Sequence, residues 1–181
     1  MRRILLSILC GLSLSHGAIA ALPVDSPAPG FELPAAQAGK VFQYSLSAAL
    51  AKGPVVLYFY PAAFSAGCSV EAHAFSEAID EFAELGATVI GVSGDDLDTL
   101  KRFSVHSCQG RFPVAADVGL DVAKKYDAVL QTRSDYASRT TYVITPSGKI
   151  LMSYSNLNPA HHITKALDAL RAWKQASKGG E

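Results

Sequence analysis

The chain has 181 residues, 49% of them hydrophobic, with 16 basic and 16 acidic side chains. That length suits one domain with a sizeable core, and the composition argues against disorder outside the ends. The balanced charge gives no electrostatic reason to expect nucleic acid or an anionic membrane as a partner.

The first twenty residues read as an export signal. Arg2 and Arg3 supply the positive start, Ile4 to Leu14 an apolar stretch, and Ala18-Ile19-Ala20 a small-x-small cleavage site. The apolar stretch, about eleven residues, is too short for a hydrocarbon core that needs about twenty. Removal after Ala20 leaves a single domain, residues 21–181, in an exported, periplasmic protein with no membrane contact expected. Cys10 offers a lipid-modified N-terminus as the less favoured alternative, because bulky Leu9 precedes it. Cys68 and Cys108 then remain. Counting alone reads them equally well as one structural disulfide in an oxidising compartment.

Ala21 to Gly30, with three prolines, reads as an extended leader. Phe31 to Pro34 and Val41 to Leu46 are predicted as short strands, with Ala35 to Lys40 as the turn between them. The apolar and aromatic run Val55 to Tyr60 reads as a buried strand. A helix is predicted over Gly67 to Leu85, with Val70, Phe75, Ile79 and Phe82 as its apolar residues and Gly86 as its stop. Thr88 to Val92 is a second buried strand, and Gly94-Asp95-Asp96 turns and caps a helix over Leu97 to Val105. A short strand at Phe112 to Ala115 and a short helix at Leu120 to Tyr126 follow. Thr140 to Ile144 and Ile150 to Tyr154 flank Pro146-Ser147-Gly148, a hairpin signal. An amphipathic helix over Ala160 to Ser177 closes the chain. Strands alternating with helices and ending in a hairpin imply an α/β three-layer sandwich with a central mixed β-sheet, the thioredoxin-like arrangement.

The segment from Pro61 to Cys68 lies where a buried strand hands over to a helix. A thiol in the first turn of a helix faces unpaired N–H groups and the positive end of the macrodipole, and both favour thiolate, the nucleophilic form. Ser65, three residues earlier, has a hydroxyl to offer the sulfur or a bound oxygen. Pro61 fixes the strand exit and brings no N–H.

The pattern Pro61-x-x-x-Ser65-x-x-Cys68 resembles the active-site signature of the peroxiredoxins, which carry Thr or Ser at the position of Ser65. The tracts Tyr58-Phe59-Tyr60-Pro61, Cys68-Ser69-Val70-Glu71-Ala72, Gly91-Val92-Ser93 and Arg139-Thr140-Thr141-Tyr142-Val143-Ile144 look most like the bacterioferritin-comigratory, or Q-type, subgroup. The resemblance covers roughly Val24 to Ala172. It implies a hydroperoxide reductase in which Cys68 attacks the peroxide and becomes a sulfenic acid. Ser65 and the N–H groups of Gly67 and Cys68 would hold the peroxide oxygens, and Arg139 would stabilise the thiolate and the leaving oxygen. No metal or organic cofactor is implied. Thioredoxin-like or other thiol donors are the implied reductants, and a monomer or weak dimer the implied assembly.

Many Q-type members resolve the sulfenic acid with a cysteine five residues after the first, but that position is His73 here. Other members place it near the helix after the second core strand, where Cys108 lies. The resemblance therefore implies Cys108 as the candidate resolving residue, with direct reduction of Cys68 as the alternative. His73 and Glu71 read as local helix residues, and His161 and His162 as solvated or capping residues of the last helix. Two rival functions use the same fold. A periplasmic thiol-disulfide oxidoreductase needs Cys-x-x-Cys, whose second position is Glu71 here, and a copper-binding protein needs a Cys-x-x-x-Cys pair that is absent.

Overall fold

A computed structural model describes residues 21–178; the expected export signal, residues 1–20, lies outside the described residues. The chain runs β1 (Glu32–Gln37), β2 (Lys40–Ser45), α1 (Leu46–Leu50), β3 (Val55–Phe59), α2 (Ala66–Glu77), α3 (Ile79–Glu84) and β4 (Thr88–Ser93). It continues through α4 (Leu97–His106), β5 (Val114–Ala116), α5 (Asp121–Lys125), β6 (Thr140–Ile144), β7 (Ile150–Ser155), a 3-10 turn at Pro159–His161, and α6 (His162–Lys178). Seven strands form one sheet in the order β2-β1-β5-β4-β3-β6-β7. β3, β4 and β5 run parallel, and the other neighbours pair antiparallel.

The two-residue period of β3 builds the layers. Val55, Leu57 and Phe59 point to one face and pack with Leu46 of α1, Val122 of α5 and Tyr126. Val56, Tyr58 and Tyr60 point to the other face, against Phe75 of α2, Phe82 of α3, Phe103 of α4 and Leu170 of α6. Helices therefore cover both faces, which is why β3 is apolar throughout and buried at every residue. The leader lies along the start of β7, with Asp25 N–H on Ile150 O (2.8 Å) and Ala28 N–H on Gly148 O (2.8 Å). No helix among the described residues is long and apolar enough to cross a membrane.

The structure departs from the sequence-based reading in four places. β1 continues through Ala35, Ala36 and Gln37, because Ala38 (φ 49°) and Gly39 (φ 76°) close the hairpin in two residues. Ala35 and Ala36, both buried, also pair with Ala115 and Val114 of β5 on the other side of β1. Leu46 does not end a strand; it is the buried first residue of α1. The helix predicted over Gly67 to Leu85 is two helices, since Ala78 (φ −89°, ψ 0°) turns α2 into α3. Cys68, Glu71, Ala72 and Phe75 are the buried side of α2, at spacings of three, four and seven, which leaves Val70 62% exposed. β5 starts at Val114, after Pro113, and Phe112 sits ahead of it in the aromatic cluster, its ring centroid 6.0 Å from that of Tyr58.

One glycine is fixed by this packing. Gly91 of β4 is in register with Tyr58 of β3, and a Cβ on Gly91 would lie 2.7 Å from the Tyr58 ring and hydroxyl. Tyr58 has no room to retreat, because it stacks on Phe75 at 4.4 Å and on Tyr60 at 5.4 Å. Gly91→Ala is expected to lower unfolding stability by about 1–3 kcal/mol, the usual cost of overpacking, as read from a shifted urea midpoint.

Candidate active site

The chain leaves β3 through Tyr60, whose N–H still bonds Val92 O at 3.1 Å, and then meets Pro61, which has no N–H to continue the ladder. Asp95, from the loop after β4, accepts the N–H of Ala63 at 2.7 Å and the hydroxyl of Ser93 at 2.8 Å, tying this exit to the neighbouring strand. Phe64 adopts φ 62° in the left-handed region and turns the backbone into α2. Its ring packs edge-on against Phe103, centroids 5.3 Å apart. The first helical bond of α2 runs from Ser69 N–H to Ser65 O at 2.9 Å. The N–H groups of Ala66, Gly67 and Cys68 precede it and lie in the unpaired first turn. Cys68 therefore sits at the positive end of α2, as the sequence implies, and is almost fully buried.

Sheet register brings Arg139 to it. Thr140 at the start of β6 pairs with Phe59 at the end of β3, so Arg139 stands level with the strand exit. Arg139 Nη2 donates to Cys68 Sγ at 3.4 Å, Nη1 to Glu71 Oε2, and Nε to Leu157 O at 2.9 Å. A Cβ on Gly67 would lie 3.2 Å from Nη2, so the bare backbone there lets the guanidinium approach. Arg139 is 5% exposed and Glu71 is fully buried. Burial opposes the charge of Arg139, but Glu71 and Cys68 outweigh it and hold the guanidinium protonated. For Glu71 the balance goes the other way. Burial pushes its carboxyl up to about 7, although the charge and hydrogen bond of Arg139 pull it down.

The Ser65 hydroxyl donates to Ala62 O at 3.0 Å and is exposed, so it is turned to the chain rather than to the sulfur. Pro61 is half-buried beside it. Cys108 is fully buried just past α4, and burial raises its thiol well above the ordinary range. Both sulfurs are unbridged and belong to the same cluster, with Tyr58, Tyr60, Phe75, Phe103 and Phe112. His73 faces solvent with Gln109 (3.1 Å) and Glu77 (3.5 Å), in keeping with a local role. His161 is exposed, but His162 corrects the expectation of a solvated cap: it is fully buried, bonded to Thr141 and Asn156, and pushed down to about 4 chiefly by burial. Sequence reasoning also passed over Asp95 and the contact of Glu71 with Arg139. The i, i+3 spacing of Glu71 from Cys68 is a readable signal; His162 offers none, because it depends on how β7 returns to α6. A cleft of about 600 Å³ opens beside Arg139, between Val129, Leu130, Asn156 and Leu157, and Cys68 does not line it.

The fold and site together define a thioredoxin-like protein organised around a single thiol at a helix N-terminus with a buried arginine upon it. The AhpC/TSA family model matches residues 24–153, well over half the chain. A chloroplastic peroxiredoxin Q of Suaeda salsa is 32% identical over 179 residues, covering 90% of this chain and 81% of the relative. The chloroplastic peroxiredoxin Q of Sedum lineare is 34% identical over 122 residues, covering 67% of this chain and 65% of the relative. Among solved structures, peroxidoxin BcpB from Mycobacterium tuberculosis superposes with a TM-score of 0.74 at 33% identity, covering 82% of this chain and 96% of that one. The chain belongs to the AhpC/TSA family, as a peroxiredoxin of the Q type. It spans from just over half to just under two thirds of the length of most of the curated relatives it matches.

The raised carboxyl of Glu71 has a consequence for stability. The folded state holds this proton up to about pH 7, whereas the unfolded chain releases it near 4.5. Stability from this group is therefore present at low pH and is lost as pH rises through that window. Glu71→Gln keeps the shape and removes the titration. Relative to the unmodified protein, its unfolding free energy is expected to rise by roughly 2–3 kcal/mol between pH 4.5 and 7.5, in urea titrations at both ends.

Proposed function

We propose that this protein is a thiol-dependent peroxidase that reduces hydrogen peroxide and organic hydroperoxides through Cys68. The observation that carries the reading is the 3.4 Å contact of Arg139 Nη2 with Cys68 Sγ, at the unpaired end of α2. Positive charge and N–H donors converge on one sulfur, which is the environment a nucleophilic thiolate needs. The family membership supports the same chemistry.

In this reading the Cys68 thiolate attacks the terminal oxygen of the hydroperoxide. The S–O bond forms as the O–O bond breaks, and the sulfur is oxidised to a sulfenic acid. The departing oxygen leaves as water or an alcohol once it takes up a proton. Arg139 and the N–H groups of Gly67 and Cys68 hold the charge that develops on that oxygen, and Ser65 contributes after its hydroxyl turns from Ala62 O. Cys108 then condenses with the sulfenic acid, forming a Cys68–Cys108 disulfide and releasing water, and an external dithiol of the thioredoxin kind reduces it. This second step needs local opening, since Cys108 is buried and held as a thiol by that burial. Gln109 (φ 52°) and Gly110 (φ 68°), both in the left-handed region, flank the segment that has to move. No metal or organic cofactor takes part. Export to the periplasm, signal removal after Ala20 and a monomeric or weakly dimeric state complete the proposal. The rival thiol-disulfide oxidoreductase would reduce insulin without consuming peroxide.

Two measurements test this. One equivalent of hydrogen peroxide should oxidise the reduced protein rapidly and convert two thiols to one internal disulfide. Cys68→Ser should abolish consumption, Arg139→Gln should lower kcat/KM by about 10²–10³, and Cys108→Ser should stop at a sulfenic acid that dimedone traps. Slow oxidation of Cys68, no faster than free cysteine, would refute the peroxidase reading.

A further inference from the structure

Three titratable side chains from three elements meet in the interior behind the sulfur: Glu71 on α2, Arg139 ahead of β6, and His162 at the start of α6. His162 Nε2 lies 2.9 Å from the carbonyl of Asn156. A carbonyl only accepts, so Nε2 carries the hydrogen, and in the neutral ring Nδ1 is a lone pair. The Thr141 hydroxyl, 2.7 Å away, donates to that lone pair. Glu71 Oε2 accepts from Arg139, but Glu71 Oε1 is buried without a hydrogen-bond partner among the described residues, 3.8 Å from the same Nδ1. Two acceptors thus face each other with no hydrogen between them. One proton on Oε1 resolves the conflict.

We propose that His162 is a positioning residue for the chemistry at Cys68: it governs whether Glu71 carries a proton, and through Glu71 how much of the Arg139 charge remains for the sulfur. This rests on the roles given above to Cys68 and Arg139. With Glu71 ionised, the carboxylate neutralises the guanidinium and Oε1 is set against a lone pair. With Glu71 protonated, Oε1–H turns toward Nδ1 and the Thr141 hydroxyl gives up its place there. Oε2 still accepts from Nη1, and the sulfur is the remaining anionic partner of Arg139. The proton exchanges with solvent, and no other bond is made or broken.

The surroundings favour this assignment. Glu71 faces Cys68 from its own helix, Arg139 from the residue before β6, His162 from α6 and Tyr58 from β3. His162 faces Glu71, Arg139, the adjacent His161 and, edge-on at 4.7 Å, the ring of Tyr154 on β7. Tyr58 is pushed far up, by burial above all, and Arg139 stays charged. Burial raises Glu71 and lowers His162, so a proton shared by the two rests on the carboxyl.

The test is the rate at which iodoacetamide alkylates Cys68, followed on its own peptide by mass spectrometry in the full chain, from about pH 5.5 to about 8.5. Alkylation reports the thiolate whether or not the protein turns over peroxide. His162→Gln keeps a donor for Asn156 and removes the Nδ1 lone pair, which favours ionised Glu71. Its alkylation rate near neutrality should fall by about three- to tenfold. Thr141→Val removes the competing hydroxyl, leaves the lone pair to Glu71, and should move the rate upward. Glu71→Gln should raise the rate near neutrality and make both other substitutions silent. An unchanged pH profile in His162→Gln, or shifts of the same sign in His162→Gln and Thr141→Val, overturns the proposal. The expected pattern without peroxide consumption would support the proposal for His162 and refute the peroxidase reading instead.

Discussion

The structure turns on a buried guanidinium shared three ways. Arg139 holds the sulfur of Cys68, the carboxyl of Glu71 and the carbonyl of Leu157 at once, the first two from α2 and the third from the segment after β7. A cation taken out of water is tolerable only with such partners, because an uncompensated buried charge costs several kcal/mol. The demand works in both directions. The arginine fixes the first turn of α2 relative to the sheet, and α2 gives the arginine the anion it requires.

Topology makes this convergence possible. Because β6 lies beside β3 in the sheet, residue 139 reaches the point where residue 60 leaves it, a sequence separation of nearly eighty residues closed by strand register alone. The opposite neighbour, β4, supplies Asp95 to the same exit from the other side. The passage from β3 into α2 is thus held from both sides, Ala63 by Asp95 and Cys68 by Arg139. Gly67 keeps the approach open, and Gly91 lets Tyr58 lie flat beneath the helix.

How much of this was legible in the sequence depended on the range of the signal. Apolar runs at Val55–Tyr60 and Thr88–Val92, the Pro-Ser-Gly turn and the place of Cys68 at a helix start are local patterns, and the structure contains each of them. The errors arose where a residue type misled. Ala35 and Ala36 look like loop residues, yet they are buried in β1 and pair with a strand on either side. Val70 looks like core but falls on the outer side of α2 once Cys68, Glu71 and Phe75 define the inner one. His162 was the least legible, because its meaning lies in a contact between α2 and α6 that no local period encodes. Arg139 was found through a family pattern; its burial and its three bonds required coordinates.

Tyr58 carries one more implication. Among the described residues its phenol is buried without a hydrogen-bond partner, in the cluster that also holds Cys68 and Cys108. An unmatched hydroxyl of this kind costs on the order of 1–3 kcal/mol in the closed state and recovers it on contact with water. Opening that wets this phenol therefore recovers part of its own cost beside the two cysteines.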